Sequence, residues 1–155
     1  MTFRLNNQLA SSVLMIRPHR FFSNPQTAQS NKFQGKSSLS EEQLHACALK
    51  EFDALVTKLE EVGVDVILFD DTPEPPTPDS VFPNNWVSFH SDGTVVLYPM
   101  EAKNRRTERR LDIIESLKDD FGFLIKRVID LTHHENQSRY LEGTGSMILD
   151  HINKI

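Results

Sequence analysis

The sequence predicts an α/β protein, and three observations carry that reading. Apolar runs of strand length alternate with stretches of helical period; the segment from Trp86 to Ile129 groups as strand, strand, helix, strand; and no cysteine framework or membrane-length apolar run points to another class. With 155 residues and 38% hydrophobic content the chain is long enough to bury a core without staples.

The first strand is the apolar run Ser11 to Arg17, closed by Pro18. Phe21 to Gln34 is then rich in Asn, Gln and Ser but carries three Phe residues, which reads as a loop pinned by buried rings. Ser40, Glu41, Glu42 and Gln43 spell a capping box, and Leu44, Ala48, Phe52, Leu55, Leu59 and Val62 recur at helical spacing before Gly63 stops the helix. Val64 to Phe69 follows as a strand, and the acidic, proline-rich Asp70 to Pro78 as a stiff loop. Trp86 to His90 and Thr94 to Tyr98 flank Ser91-Asp92-Gly93, a hairpin signature with glycine in the left-handed position and Val87, Phe89, Val95 and Leu97 on one covered face. A second helix is expected from Asn104 to about Phe121, with Leu111, Ile114, Leu117 and Phe121 on one face and Gly122 closing it. A strand Phe123 to Ile129, a polar loop Asp130 to Arg139 and a last apolar strand Ser146 to Leu149 complete the order. The chain stops soon after that strand and reads as a piece of something longer.

Composition narrows the function. A net charge of −5 argues against a nucleic-acid partner, because phosphate binding favours a basic surface. Neither a membrane span nor a secretory signal is apparent, so a cytoplasmic location is expected and no membrane partner. The lone Cys47 excludes an intrachain disulfide; beside the apolar stripe of its helix it reads as a small buried hydrophobe. His133, His134 and Glu135 are adjacent in a loop, where side chains rarely converge, so no metal site is expected.

Four groups of residues have chemical potential. Glu142 lies between an apolar dipeptide and Gly143 and Gly145, which permit a close backbone approach; it is either a ligand-holding acid or a solvated turn residue. Asn84 and Asn85, after Pro83, each carry donors and an acceptor that suit a planar group of mixed polarity, although turn chemistry accounts for them equally well. Arg105 and Arg106 stand at a helix start, where the dipole favours anions, which points one of them at a carboxylate. Arg109 and Arg110, beside Glu108 and Asp112, read as surface groups.

Short runs spread along the chain resemble the arginine deiminase and amidinotransferase superfamily, the pentein fold, and within it the bacterial citrulline-utilisation hydrolases. They are MIRP at Met15 to Pro18; Asn24, Thr27, Ala28, Asn31, Phe33 and Gln34; FPNNW at Phe82 to Trp86; PM with NRRTERR between Pro99 and Arg110; and LEGTGS at Leu141 to Ser146. The resemblance implies a partial α/β-propeller of repeated ββαβ units, roughly half of a five-bladed ring, with residues 1–155 as the N-terminal portion of one domain. It implies attack by a cysteine thiolate on a guanidino or ureido carbon, with hydrolysis or amidino transfer as the outcome and no cofactor. Carried over, Glu142 and Asn85 belong to the catalytic set. Asn84, Phe82 and Asn24 bind substrate, and Arg105 or Arg106 meets its carboxylate. Asn85 stands where arginine-directed relatives carry Asp, which favours a neutral, citrulline-like substrate over an arginine-like one. The family's histidine and late cysteine have no counterpart, since His133 and His134 precede Glu142 and Cys47 sits in the wrong element. The chain alone is therefore expected to be inactive, either as a substrate-holding fragment or as a non-catalytic small-molecule-binding or truncated protein.

Overall fold

The computed structural model describes residues 9–28, 31, 35, 37–150 and 152–153. The expected matches at Phe33 and Gln34 lie outside those residues. The first unit is strand, helix, strand: β1 (Ser12–Arg17) runs parallel to β2 (Asp65–Asp70), Ser12 facing Asp65 and Arg17 facing Asp70, with α1 (Glu41–Glu61) as the crossover. The capping box forms as read. Gln43 N–H donates to Ser40 Oγ at 3.3 Å, and Ser40 N–H donates to Gln43 Oε1 at 3.0 Å. Past the helix end, Gly63 takes a φ of +82°.

The apolar stripe of α1 is covered less than its spacing implies. Phe52 is its buried residue, whereas Leu55 and Val62 are exposed. Cys47 is exposed too, which corrects the expectation of a buried thiol. The physical reason is an open groove of about 350 Å³ between α1 and Met15, Phe21 and Val81, with Cys47 and Leu55 on its wall.

The second unit realises the ββαβ grouping. β3 (Val87–Phe89) and β4 (Thr94–Leu97) pair antiparallel, and β5 (Arg127–Asp130) returns parallel to β4 after α2 (Leu111–Asp119), in the order β3-β4-β5. Gly93 has a φ of +84°, and a Cβ there would lie 3.1 Å from the Leu124 carbonyl oxygen. Of the expected covered face, Val87, Val95 and Leu97 are buried, while Phe89 at the tip is exposed.

Three expectations are corrected. The helix read from Asn104 is a 3₁₀ helix, Lys103–Glu108, followed by extended backbone at Arg109 and Arg110 before α2 begins. The break lets the arginines of this stretch reach partners in different directions, and α2 restarts with Ile113, Ile114 and Leu117 inward and Leu111 and Phe121 outward. The strand expected from Phe123 starts only at Arg127, because Phe123 N–H instead donates to Leu117 O at the end of α2. Ser146 to Leu149 is not a strand. It contains the end of a single helical turn, α3 (Gly143–Ser146), then irregular backbone that begins with Met147 N–H donating to Gly143 O, with Ile148 94% exposed.

The core has two clusters. Trp86, Val87, Val95, Leu97, Met100 and Ile114 form one; Ile16, Ile67, Ile113 and Leu117 form the other; Leu14 and Ile125 pack against both. Adjacent residues of α2 thus serve different clusters, and this helix joins the two sheets. Among the described residues the sheets close into no ring, and no helix is long and apolar enough to cross a membrane.

Candidate functional site

The residues between Phe82 and β3 form one 3₁₀ turn, Pro83–Asn85, with proline at its first position, where its missing N–H costs nothing. Trp86, 1% exposed, anchors the turn in the core. The Glu142 turn docks against it. Gly143, at a φ of +45°, lies so close to Asn84 that a Cβ would overlap the Asn84 carbonyl oxygen, and a Cβ at Gly145 would stand 2.6 Å from Asn85 Nδ2. The two glycines are what allow the segments to meet.

The meeting joins residues 57 positions apart. Asn85 Nδ2 donates to Glu142 Oε2 at 3.2 Å, and Glu101 N–H donates to Glu142 Oε1 at 3.1 Å. Arg105 Nη1 lies 3.6 Å from Glu142 Oε2. These groups border a cavity of about 540 Å³ that Gln26, Thr27, Asn31, Asp79, Phe82, Tyr140 and Ser146 also line. Arg105 is 4% exposed. Its Nε and Nη2 bond Glu108, with Nη2 to Oε2 at 2.9 Å, and Nη2 also reaches the carbonyls of Asp79 and Phe82. Nη1 is the edge left for the cavity. Burial outweighs the Arg105 pairing at Glu108 and pushes its carboxyl up to about 7.

The expected residues fall into two groups. Asn85, Glu142, Arg105 and Phe82 line the cavity together. Asn24, Asn84 and Arg106 stand behind its wall. Asn24 is fully buried and bridges Asp79 and Asn104: its Nδ2 donates to Asp79 Oδ2 at 2.6 Å, and its Oδ1 accepts from Asn104 Nδ2 at 2.8 Å. Asn84 contributes its carbonyl oxygen to Thr144 Oγ1 at 3.5 Å. Arg106 donates to the carbonyls of Met100 and Glu101. Arg109 is not the surface group expected: it forms a close ion pair with Glu135. His133 and His134 stack on one another, and no group of three or more potential metal ligands exists among the described residues.

Sequence reasoning missed Asp79, which lines the cavity 3.6 Å from Arg105 Nε. It was hidden at the end of a loop read as a connector; its signal was an acid six residues before Asn85. With Asp79, three carboxylates (Asp79, Glu101 and Glu142) and one guanidinium (Arg105) line the cavity among the described residues. The arrangement offers a ligand acceptors from several sides. Asn85 Nδ2 gives one of its two N–H groups to Glu142, so Asn85 has its second N–H and its carbonyl oxygen to offer a ligand.

Solved structures share this architecture. The N-terminal domain of ArgZ, described as a cyanobacterial arginine dihydrolase bound to substrate, superposes with a TM-score of 0.59 at 22% identity, over 90% of this chain and 45% of that one. The apo structure of ArgZ gives 0.53 at 19% identity, again over 90% of this chain but 16% of its own. A dimethylarginine dimethylaminohydrolase, carrying an S-methyl-L-thiocitrulline adduct, gives 0.50 at 22% identity, over 77% of this chain and 41% of that one. This chain therefore spans less than half the length of each of these structures. No curated protein matches its sequence. The fold is that of the arginine deiminase and amidinotransferase superfamily, the pentein class, in its N-terminal part. Within that class the chain belongs to the family described as N,N dimethylarginine dimethylhydrolase, eukaryotic, which it matches over residues 17–155.

Proposed function

We propose that this chain forms the substrate-holding wall of a cysteine-dependent hydrolase acting on the guanidino or ureido group of an arginine-like amino acid. The observation that carries the reading is the Asn85–Glu142 hydrogen bond at the cavity wall, which fixes an amide whose carbonyl oxygen can accept from the N–H groups of a ligand. In this arrangement Glu142 and Asn85 receive the terminal nitrogens, and Arg105 Nη1 meets a ligand oxygen. The excess of carboxylates at the cavity supports a cationic guanidino group. The neutral amide of Asn85, where a carboxylate would attract a cation more strongly, supports a ureido group as second reading. Cys47 stands on α1 and not among the lining residues, so the chain by itself holds ligand without cleaving it.

Calorimetric titration of the full chain with L-arginine and with L-citrulline tests this. Arginine is expected to bind more tightly, without release of ammonia, and Asn85→Asp to move the preference about tenfold further toward arginine, the scale of one hydrogen bond to a charged group. Binding of neither amino acid would overturn the proposal, and citrulline binding more tightly would select the second reading.

A further inference from the structure

Glu135, adjacent to the two histidines, has a place in the structure that the proposed reaction does not use. It sits on the 3₁₀ helix Thr132–Gln137 that follows β5, with its side chain 9% exposed. Its Oε1 accepts from Met100 N–H at 2.8 Å and pairs closely with Arg109, and its Oε2 lies 3.3 Å from Arg106 Nε. Arg106 Nε in turn donates to Met100 O at 2.9 Å, and its Nη2 donates to Glu101 O at 3.2 Å.

The consequence lies in one peptide unit. Met100 O and Glu101 N–H belong to the same planar group, so fixing one end fixes the other. Arg106 grips the carbonyl end, and the N–H end donates to Glu142 Oε1 at 3.1 Å. A cation on the carbonyl oxygen also polarises the peptide and strengthens its N–H as a donor. Glu142 is thus held from one side by Asn85 and from the other by a peptide whose orientation depends on Arg106, which Glu135 anchors.

We propose that Glu135 is a positioning residue: through Arg106 it sets the Met100–Glu101 peptide so that Glu101 N–H holds the Glu142 carboxylate toward the cavity. This rests on the reading of Glu142 as a ligand-holding residue. It gives Glu135 a role at the site although no atom of it lines the cavity.

The test compares the full chain with Glu135→Gln, Glu142→Gln and the double variant, and with Arg106→Lys, which keeps the charge but loses the planar fork. Two quantities are measured: the Glu101 backbone amide resonance, without ligand, and the dissociation constant for L-arginine. The resonance is expected to move in every variant. Glu135→Gln is expected to weaken L-arginine binding about tenfold, and to change it less than about twofold in the Glu142→Gln background. A Glu101 resonance unmoved in a folded Glu135→Gln protein overturns the proposal, as do multiplicative effects of the two substitutions. If Glu135→Gln does not fold, Arg106→Lys decides on the same resonance. Should the unsubstituted chain bind no L-arginine, the substrate reading falls by itself, and a moved or unmoved Glu101 resonance still upholds or overturns the relay.

Discussion

Arg105 illustrates how single residues set this site. It is buried against Glu108 and flanked by Asp79 and Glu142, so three acids surround one base in a space that excludes most water. The cost appears at Glu108, whose carboxyl is raised from 4.5 to about 7. A raised acid binds its proton more tightly in the fold, so the stability it contributes is present below about pH 4.5 and is lost as the pH climbs through 7. Urea unfolding at pH 5 and pH 7.5 should therefore show wild type losing roughly 2 kcal/mol more than Glu108→Gln, because each tenfold gain in proton affinity on folding is worth about 1.4 kcal/mol and this pH interval spans most of the shift. Gly145 sets the opposite wall. Gly145→Ala should push the Asn85 amide off Glu142 and abolish L-arginine binding in calorimetry, while thermal melting changes little because Gly145, unlike Gly143, does not hold a positive φ. Asn85, Glu142 and both glycines were legible in the sequence because their types are unusual in such short runs. Asp79 and Glu108 were not, since acids among prolines or arginines look like ordinary solvated charges until burial is known.

Elements were legible where one local signal governs them. The capping box fixed the start of α1, and Ser40→Ala should cost about 1 kcal/mol, read as a lower melting temperature by circular dichroism. The Asp92-Gly93 turn likewise fixed the hairpin. Periodicity misled where side-chain bonding overrides it. Between Asn104 and Phe121 the apolar spacing fits one continuous helix, yet Arg105, Arg106 and Arg109 bind Glu108, backbone carbonyls and Glu135, and the chain breaks to let them. The run Ser146 to Leu149 failed for another reason. Apolar composition makes a strand only where a neighbouring edge lies in reach, and neither sheet of the described residues takes up this run as a strand.

At the scale of the molecule, the α/β class and the ββαβ unit followed from element order, whereas the distribution of exposed surface did not. Phe89, Phe123, Leu124, Val128 and Ile129 are all exposed around β5, the edge strand of its sheet. Such an edge recruits other chains. Sedimentation velocity should show concentration-dependent association of the wild-type chain, reduced by Leu124→Lys combined with Val128→Lys, with the helical circular dichroism preserved. The cavity faces elsewhere, bordered by segments drawn from residues 26 to 146. The position of Trp86, the chain's single tryptophan, completes the picture. It is sealed in the core one peptide away from Asn85, with its N–H bonded to Pro83 O and its carbonyl accepting from Tyr98 N–H. The indole is therefore an optical gauge set in the core beside the Asn85 turn: its emission is expected to be blue while the core is dry, to redden when the core opens, and to change when the neighbouring turn shifts, so folding and occupancy can be followed in one cuvette without a label.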